Sequence, residues 1–285
     1  MFSFFKNMID PQAKLKSVLK GYNLPSFPAV IMQILQKIRN PYSSAADVAE
    51  SLSIDPMLSI RLLSLANSAA FSPTKRVENL TQAVALVGMS QLESLVLGAG
   101  VARGIPGKNS QWYDPVAFWL LAAKRAILAN ELARILCPAK ESECFTAAFL
   151  QDMALPFLAT HRSEDYDSIF KKWHEEGGDL AQLERETLGW DHAEVATWIS
   201  SEWELPENIA LAIKNHHKAV DKVDNDHETL APVQLVSILR DDEANNGEEE
   251  LFAKAETVYN ISNEKMESII RPAFGRAKDL ARLIV

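Results

Sequence analysis

Four stretches of this 285-residue chain carry side chains able to hold a metal ion or move a proton. "AAFLQDMALPF" sets Asp152 among large apolar residues, and "WDHAEVA" sets His192 at an expected helix start. "AIKNHHKAV" places His216 and His217 side by side at the end of an apolar run, and "LVSILRDD" ends in Asp241 and Asp242. Imidazole nitrogens and carboxylate oxygens suit divalent transition ions, and a helical protein must gather them from several helices. An unpaired carboxylate inside an apolar run is costly, so Asp152 is expected to face a pocket or a buried partner. His192, next to Asp191, suits a surface cap as well as a pocket. His216 and His217 continue the stripe defined by Ile209 and Ile213, and one of them is placed to meet the negative end of its helix. His161, His174 and His227 lie in polar surroundings and receive no role.

The elements that must position these groups read as helices. Good helix formers at helical spacing fill nearly every segment, and alternating β-branched runs between tight turns are absent, so the expected fold class is all-α. Ser44 is a cap for "AADVAESLSI", and the Asp-Pro pairs at Asp55-Pro56 and Asp114-Pro115 each read as an N-cap followed by proline at the first helical position. Asp179 opens "LAQLERETL" and Gly189 closes it; Asp191 with Glu194 resembles a capping box, and Pro206 starts "ENIALAIKNHH". The Gly- and Pro-bearing stretch "GIPGKNSQWYDP" divides a helical lobe at 1–105 from a second lobe at 112–285. The acidic "DDEANNGEEE" reads as a surface loop before two closing helices.

Bulk properties narrow the functions. With 47% hydrophobic and 24% charged residues the chain can bury a real core, and a formal net charge of -9 disfavours broad attraction to nucleic acid or anionic lipid. "SSAADVAESLSIDPMLSIRLLSLANSAAF" has helix-turn-helix spacing, but its second helix offers Met57, Leu58, Ile60, Leu62, Leu63 and Leu65 with Arg61 as the only charge. Base edges call for arginine, asparagine or glutamine, so a packed hairpin is expected there and no nucleic-acid partner. Cys137 and Cys144 are too few for a disulfide framework and read as reduced thiols in a cytoplasmic protein. The N-terminus lacks a secretory signal, and Lys124 and Arg125 interrupt the most apolar segment, so membrane insertion is not expected.

The order and context of these stretches resemble the HD superfamily of metal-dependent phosphohydrolases and, more closely, the HDOD domain of bacterial signalling proteins. "LPSFPAVIMQIL", "AADVAESLSIDPMLSIRLLSLANSAAF" and "NLTQAVALVGMSQLESLVLGAGV" carry the resemblance in the first half. "AAFLQDMALPFL", "DHAEVATWISSEWELPENIALAIKNHHK" and "PVQLVSILRDD" continue it, over about residues 24–242. The resemblance implies an HD-like helical domain and also marks departures from an active centre. Gln151 stands where a histidine would precede the aspartate, and Ala154 replaces a glycine. "FWLLAAKRAILA" has no upstream histidine, and the late aspartate falls near Ser237, with Asp241 one turn further on.

The expectation is therefore a non-catalytic signal-transduction module with a vestigial ligand pocket of Gln151, Asp152, His192, His216 and His217. No resident cofactor is expected, and any adventitious or weakly bound divalent metal would sit on Asp152, His192 and His216. Signalling proteins and a nucleotide-like ligand are the expected partners, with Trp112 and Tyr113 as anchors at a groove between the lobes. The alternative is a metal-dependent phosphohydrolase acting on nucleotides or cyclic dinucleotides through an atypical shell that adds His217 and Asp241.

Overall fold

Side-chain caps start many of the helices where the sequence places them. Ser44 accepts from the Asp47 amide while the Asp47 carboxylate accepts from the Ser44 amide at 2.8 Å, a reciprocal box that opens α3 (Ala45–Leu52). Asp55 accepts from the Leu58 amide at 3.0 Å, and Pro56 takes the first position of α4 (Pro56–Ala66). Asp114 caps α7 (Pro115–Leu136), Asp179 caps α11 (Leu180–Leu188) and Asp191 caps α12 (His192–Glu202). Each cap satisfies an amide that the first helical turn leaves without a partner. The computed structural model describes residues 11–68, 71, 73–105, 114–218, 229–241 and 246–282, and every regular element among them is helical.

In the first lobe α2 (Ala29–Arg39), α3, α4, α5 (Leu80–Val87) and α6 (Met89–Gly104) pack on one another. Gly88, at φ +81°, turns the chain by 107° between α5 and α6. A conformation with positive φ of this kind is open to glycine at little cost. The second lobe is built on the pair α7 and α8 (Glu141–Leu150). Around it lie α9 (Leu155–His161), α10 (Ser163–Glu176), α11, α12, α13 (Glu207–Lys214), α14 (Ala231–Val236), α15 (Glu248–Tyr259) and α16 (Asn263–Ala281). Division at 105/112 does not follow the packing at the N-terminus. There α1 (Pro11–Val18) lies against α12, and the Trp203 indole donates to the Pro25 carbonyl at 2.8 Å. One contiguous hydrophobic core runs through both lobes.

In the hairpin of α3 and α4, Leu58, Leu62 and Leu65 are buried and tie α4 to the core. Met57 and Ile60, on the opposite face of the same helix, are exposed. No single described helix is long and apolar enough to cross a membrane.

The lobes meet where α6 packs on α8, and Gly98 makes that approach possible. A Cβ there would lie 2.2 Å from a ring carbon of Phe149, a buried side chain held against Trp119 and Phe145. Gly98→Ala is expected to cost about 1–3 kcal/mol through overpacking. Urea unfolding reads this as a lower midpoint, and a midpoint equal to wild type would mean that Phe149 yields freely.

Candidate metal centre

Asp152 sits in the turn of residues 151–154 between α8 and α9, not within a helix as the sequence suggests. His192 is the first residue of α12 and is 1% exposed, which makes it a pocket residue as well as a member of a capped helix start. α13 ends at Lys214, so His216 and His217 occupy the turn that follows it. Three separate loop-to-helix junctions thus deliver four side chains to one point.

The donor atoms of Asp152, His192, His216 and His217 lie within 4.8 Å of one another. His192 Nε2 is 3.3 Å from His216 Nε2, 2.9 Å from His217 Nε2 and 3.4 Å from Asp152 Oδ1. His216 Nε2 is 3.3 Å from the same Asp152 oxygen. A tetrahedral ion with bonds of about 2.0–2.1 Å separates neighbouring donors by about 3.3–3.4 Å. The cluster has the size of one coordination sphere.

Each imidazole is oriented from behind. His192 Nδ1 lies 2.6 Å from Glu184 Oε2, which also accepts from the His192 amide at 2.8 Å. His216 Nδ1 lies 2.5 Å from the Ile213 carbonyl, and His217 Nδ1 lies 3.2 Å from Asp179 Oδ1. A carbonyl only accepts, so His216 Nδ1 carries the proton and the neutral ring turns a lone pair on Nε2 toward the cluster. The carboxylates behind His192 and His217 favour the same tautomer. Backing of this kind fixes the ring and raises ligand basicity in metal sites.

The charges are unequal. Burial opposes the ionisation of Asp152, but Arg125 and the hydrogen bonds to His192 and His216 outweigh it and hold the carboxyl well below the usual range. Burial disfavours protonated His192, yet Glu184 and Asp152 push its pKa well above the ordinary histidine value. Burial and neighbouring His217 lower His216 to about 4, and burial of Asp179 is outweighed by His217, leaving its carboxyl at about 2. The proton on His192 Nε2 thus faces three acceptors, Asp152 Oδ1, His216 Nε2 and His217 Nε2. The donor chemistry fits a cation that can bond to several of them at once.

Arg125 restricts what Asp152 can ligate. It projects from α7 onto Asp152 Oδ2 through Nη1, while Nη2 donates to the Leu239 carbonyl at 2.6 Å. Oδ1 faces the histidines and Oδ2 is taken by a fixed guanidinium, so Asp152 cannot bridge to a second ion without breaking a buried pair.

The cluster opens into a cavity of about 960 Å³, large enough for a drug-sized ligand. Asp152, His192, His216 and His217 line it. Gln151 does not: its side chain is buried, and its amide has no hydrogen-bond partner among the described residues. Asp241 lines the wall but is exposed and stands outside the ligand cluster. Ser237 donates to the His216 carbonyl at 3.1 Å and thereby steadies the histidine turn. His174, given no role from sequence, also lines the cavity. Asp242, Trp112, Tyr113 and His227 lie outside the described residues.

Two participants escaped the sequence reading. Glu184 is fully buried at the fourth position after Leu180 on the packed stripe of α11, a charged residue where the period calls for an apolar one. Arg125 lies among Ala122, Ala123, Ala126 and Leu128, all buried, on the inner face of α7. A charge at a position that helical spacing assigns to the core-facing side was the available signal in both cases.

Comparison with known proteins agrees with this architecture. An HDOD domain model matches residues 24–219, ending before Asp241. An uncharacterized protein of Treponema pallidum (strain Nichols) is 24% identical over 196 residues, which are 68% of this chain and 38% of that longer protein. The solved "Putative phosphohydrolase" of Shewanella amazonensis SB2B superposes with a TM-score of 0.72 at 22% identity, covering 96% of this chain and 99% of that one. The "Putative signal transduction protein" of Marinobacter aquaeolei VT8 does so with a TM-score of 0.75 at 18% identity, covering 96% and 65%. At these identities the structural likeness establishes the fold. With its all-α architecture and a family match across most of its length, the chain belongs to the HDOD domain family.

Proposed function

We propose that this protein is a signalling module that holds one divalent cation on Asp152, His192, His216 and His217 and uses the cavity above it to capture a phosphate-bearing, nucleotide-like ligand without cleaving it. The observation that carries this reading is the convergence of four oriented donors beside Arg125, which takes the second oxygen of Asp152. When bound, the ion supplies a Lewis-acidic anchor for an anionic oxygen.

The chain's own residues do the rest. Glu184, Ile213 and Asp179 hold the three rings in register, and Arg125 neutralises Asp152 and limits the centre to a single ion. Phe118, Phe170 and Trp173 offer apolar surface in the cavity wall, where a base could stack. Lys218, Arg240 and Lys254 are on the same wall, but Asp114, Glu176, Asp179, Asp241 and Glu250 balance them. A wall with more carboxylates than basic side chains attracts an anionic ligand only when the cation is in place. Output then passes to a protein partner through a change in the population of the ligand-bound form.

Thermal unfolding in the presence of nucleoside phosphates and cyclic dinucleotides, with manganese or with a chelator, tests the proposal. The expected result is a concentration-dependent rise in Tm with manganese that the chelator abolishes, without phosphate release. The same rise under chelation would remove the cation from the account. The backing of His192 by Glu184 favours a second reading, a single-ion phosphohydrolase, because such pairs also occur at catalytic metals. Phosphate release that follows the purified protein and disappears in Asp152→Asn would select that reading.

A further inference from the structure

The two cysteines lie together, away from the metal cluster. Cys137 ends α7: its amide donates to the Ala133 carbonyl at 2.8 Å, and its backbone has left the helix at φ -154°, ψ 71°. A single 3-10 turn, Pro138–Lys140, returns the chain so that Cys144, in α8, faces it. The two sulfurs are 3.8 Å apart. Cys144 is fully buried, whereas Cys137 is partly exposed.

A buried cysteine on its own is a small apolar core residue. The pair here differs in three respects. The sulfurs are already in van der Waals contact, so a bond of about 2.05 Å asks for a closure of under about 2 Å. Cys137, outside regular helix, is the side that can move. The two thiols are also unequal. The hydrogen bond from Cys144 together with nearby Lys140 pulls Cys137 below the usual thiol range, while that same hydrogen bond and burial push Cys144 up. A partly exposed thiol that ionises more readily than its buried neighbour suits the division of labour between an attacking and a resolving cysteine.

We infer that Cys137 and Cys144 form a hydroperoxide-sensitive site, which closes to an intramolecular disulfide across the α7–α8 turn. The Cys137 thiolate attacks the near oxygen of a hydroperoxide; the O–O bond breaks, and the leaving oxygen departs as water or an alcohol after taking a proton from solvent. Cys137 is then a sulfenic acid. The Cys144 sulfur attacks the Cys137 sulfur, the S–O bond breaks, and hydroxide leaves as water with the Cys144 proton. Two thiols are oxidised by two electrons, and one peroxide is reduced. The bond would tie the end of the helix that carries Arg125 to the start of the helix that leads to Asp152.

The test treats the reduced full chain with hydrogen peroxide, then alkylates under denaturing conditions and reads peptide and intact masses. Wild type is expected to lose both alkylatable thiols in one step, run as a single chain on a denaturing gel without reductant, and yield a cross-linked peptide containing Cys137 and Cys144. Cys144→Ser should stop at a Cys137 sulfenic acid that dimedone traps, and Cys137→Ser should keep Cys144 alkylatable under the same treatment. Retention of both thiols in wild type would overturn the inference, as would oxidation of Cys144 in Cys137→Ser or disulfide-linked dimers in place of the internal bond.

Discussion

Asp152→Ala is expected to lower the unfolding free energy by about 3–5 kcal/mol, because it leaves the Arg125 guanidinium buried without a counter-charge. Arg125 and Asp152 side chains are only 8% and 13% exposed, so solvent cannot take over the missing partner. The Leu239 carbonyl keeps one guanidinium hydrogen bond but supplies no charge. Adding Arg125→Leu to Asp152→Ala removes the stranded cation and should recover much of the loss, since the penalty belongs to the broken pair. Chemical denaturation of wild type, both single variants and the double variant closes the cycle. An Asp152→Ala midpoint equal to wild type would mean that Arg125 reaches water by an unrecognised route.

Glu184→Gln should weaken divalent-cation binding by about 10–100-fold, although Glu184 is not itself a ligand. Its Oε2 accepts from both the amide and Nδ1 of His192, while its Oε1 accepts from the Tyr166 hydroxyl at 2.5 Å. Glutamine can keep its oxygen on the His192 N–H groups and donate its amide N–H to the Tyr166 hydroxyl, so the hydrogen bonds are retained while the negative charge is lost. The ring keeps its orientation and loses the negative charge that raises its basicity. Competition against a chromophoric chelator measures the change, with circular dichroism to confirm the fold. Affinity equal to wild type would show that the charge of Glu184 contributes nothing to cation binding.

The helix starts and the identities of the clustered residues were legible in the sequence for local reasons. Asp55-Pro56, Asp114-Pro115, Asp179 and Asp191 act within one turn of themselves, and their chemistry does not depend on the rest of the fold. Asp152, His192, His216 and His217 stood out because a charge or imidazole inside an apolar context needs a reason. The pairing of these groups was not legible. Arg125 and Asp152 are 27 residues apart and meet because α7 and α8 fold back on each other, which periodicity cannot specify. Gln151 shows the converse: it adjoins Asp152 in sequence, but the turn buries its side chain outside the cavity lining.

The sequence expectation for the metal rested on counting which motif positions had lost a ligand. That count takes each position as a fixed point in space. His217 joins the cluster because α13 stops at Lys214 and the following turn presents both histidines inward. Asp241, the substitute suggested by helical spacing, remains exposed on the wall. Donor convergence is a property of the turns between helices, and helix periodicity says least about those.

Metal content per chain tests the central claim most directly. The 285-residue chain is loaded with manganese, iron(II) or zinc, desalted, and assayed by inductively coupled plasma mass spectrometry alongside His216→Ala. The account predicts one ion per chain in wild type and none in the folded His216→Ala variant. Two ions per chain, or wild type that emerges without metal under every loading condition, would contradict it.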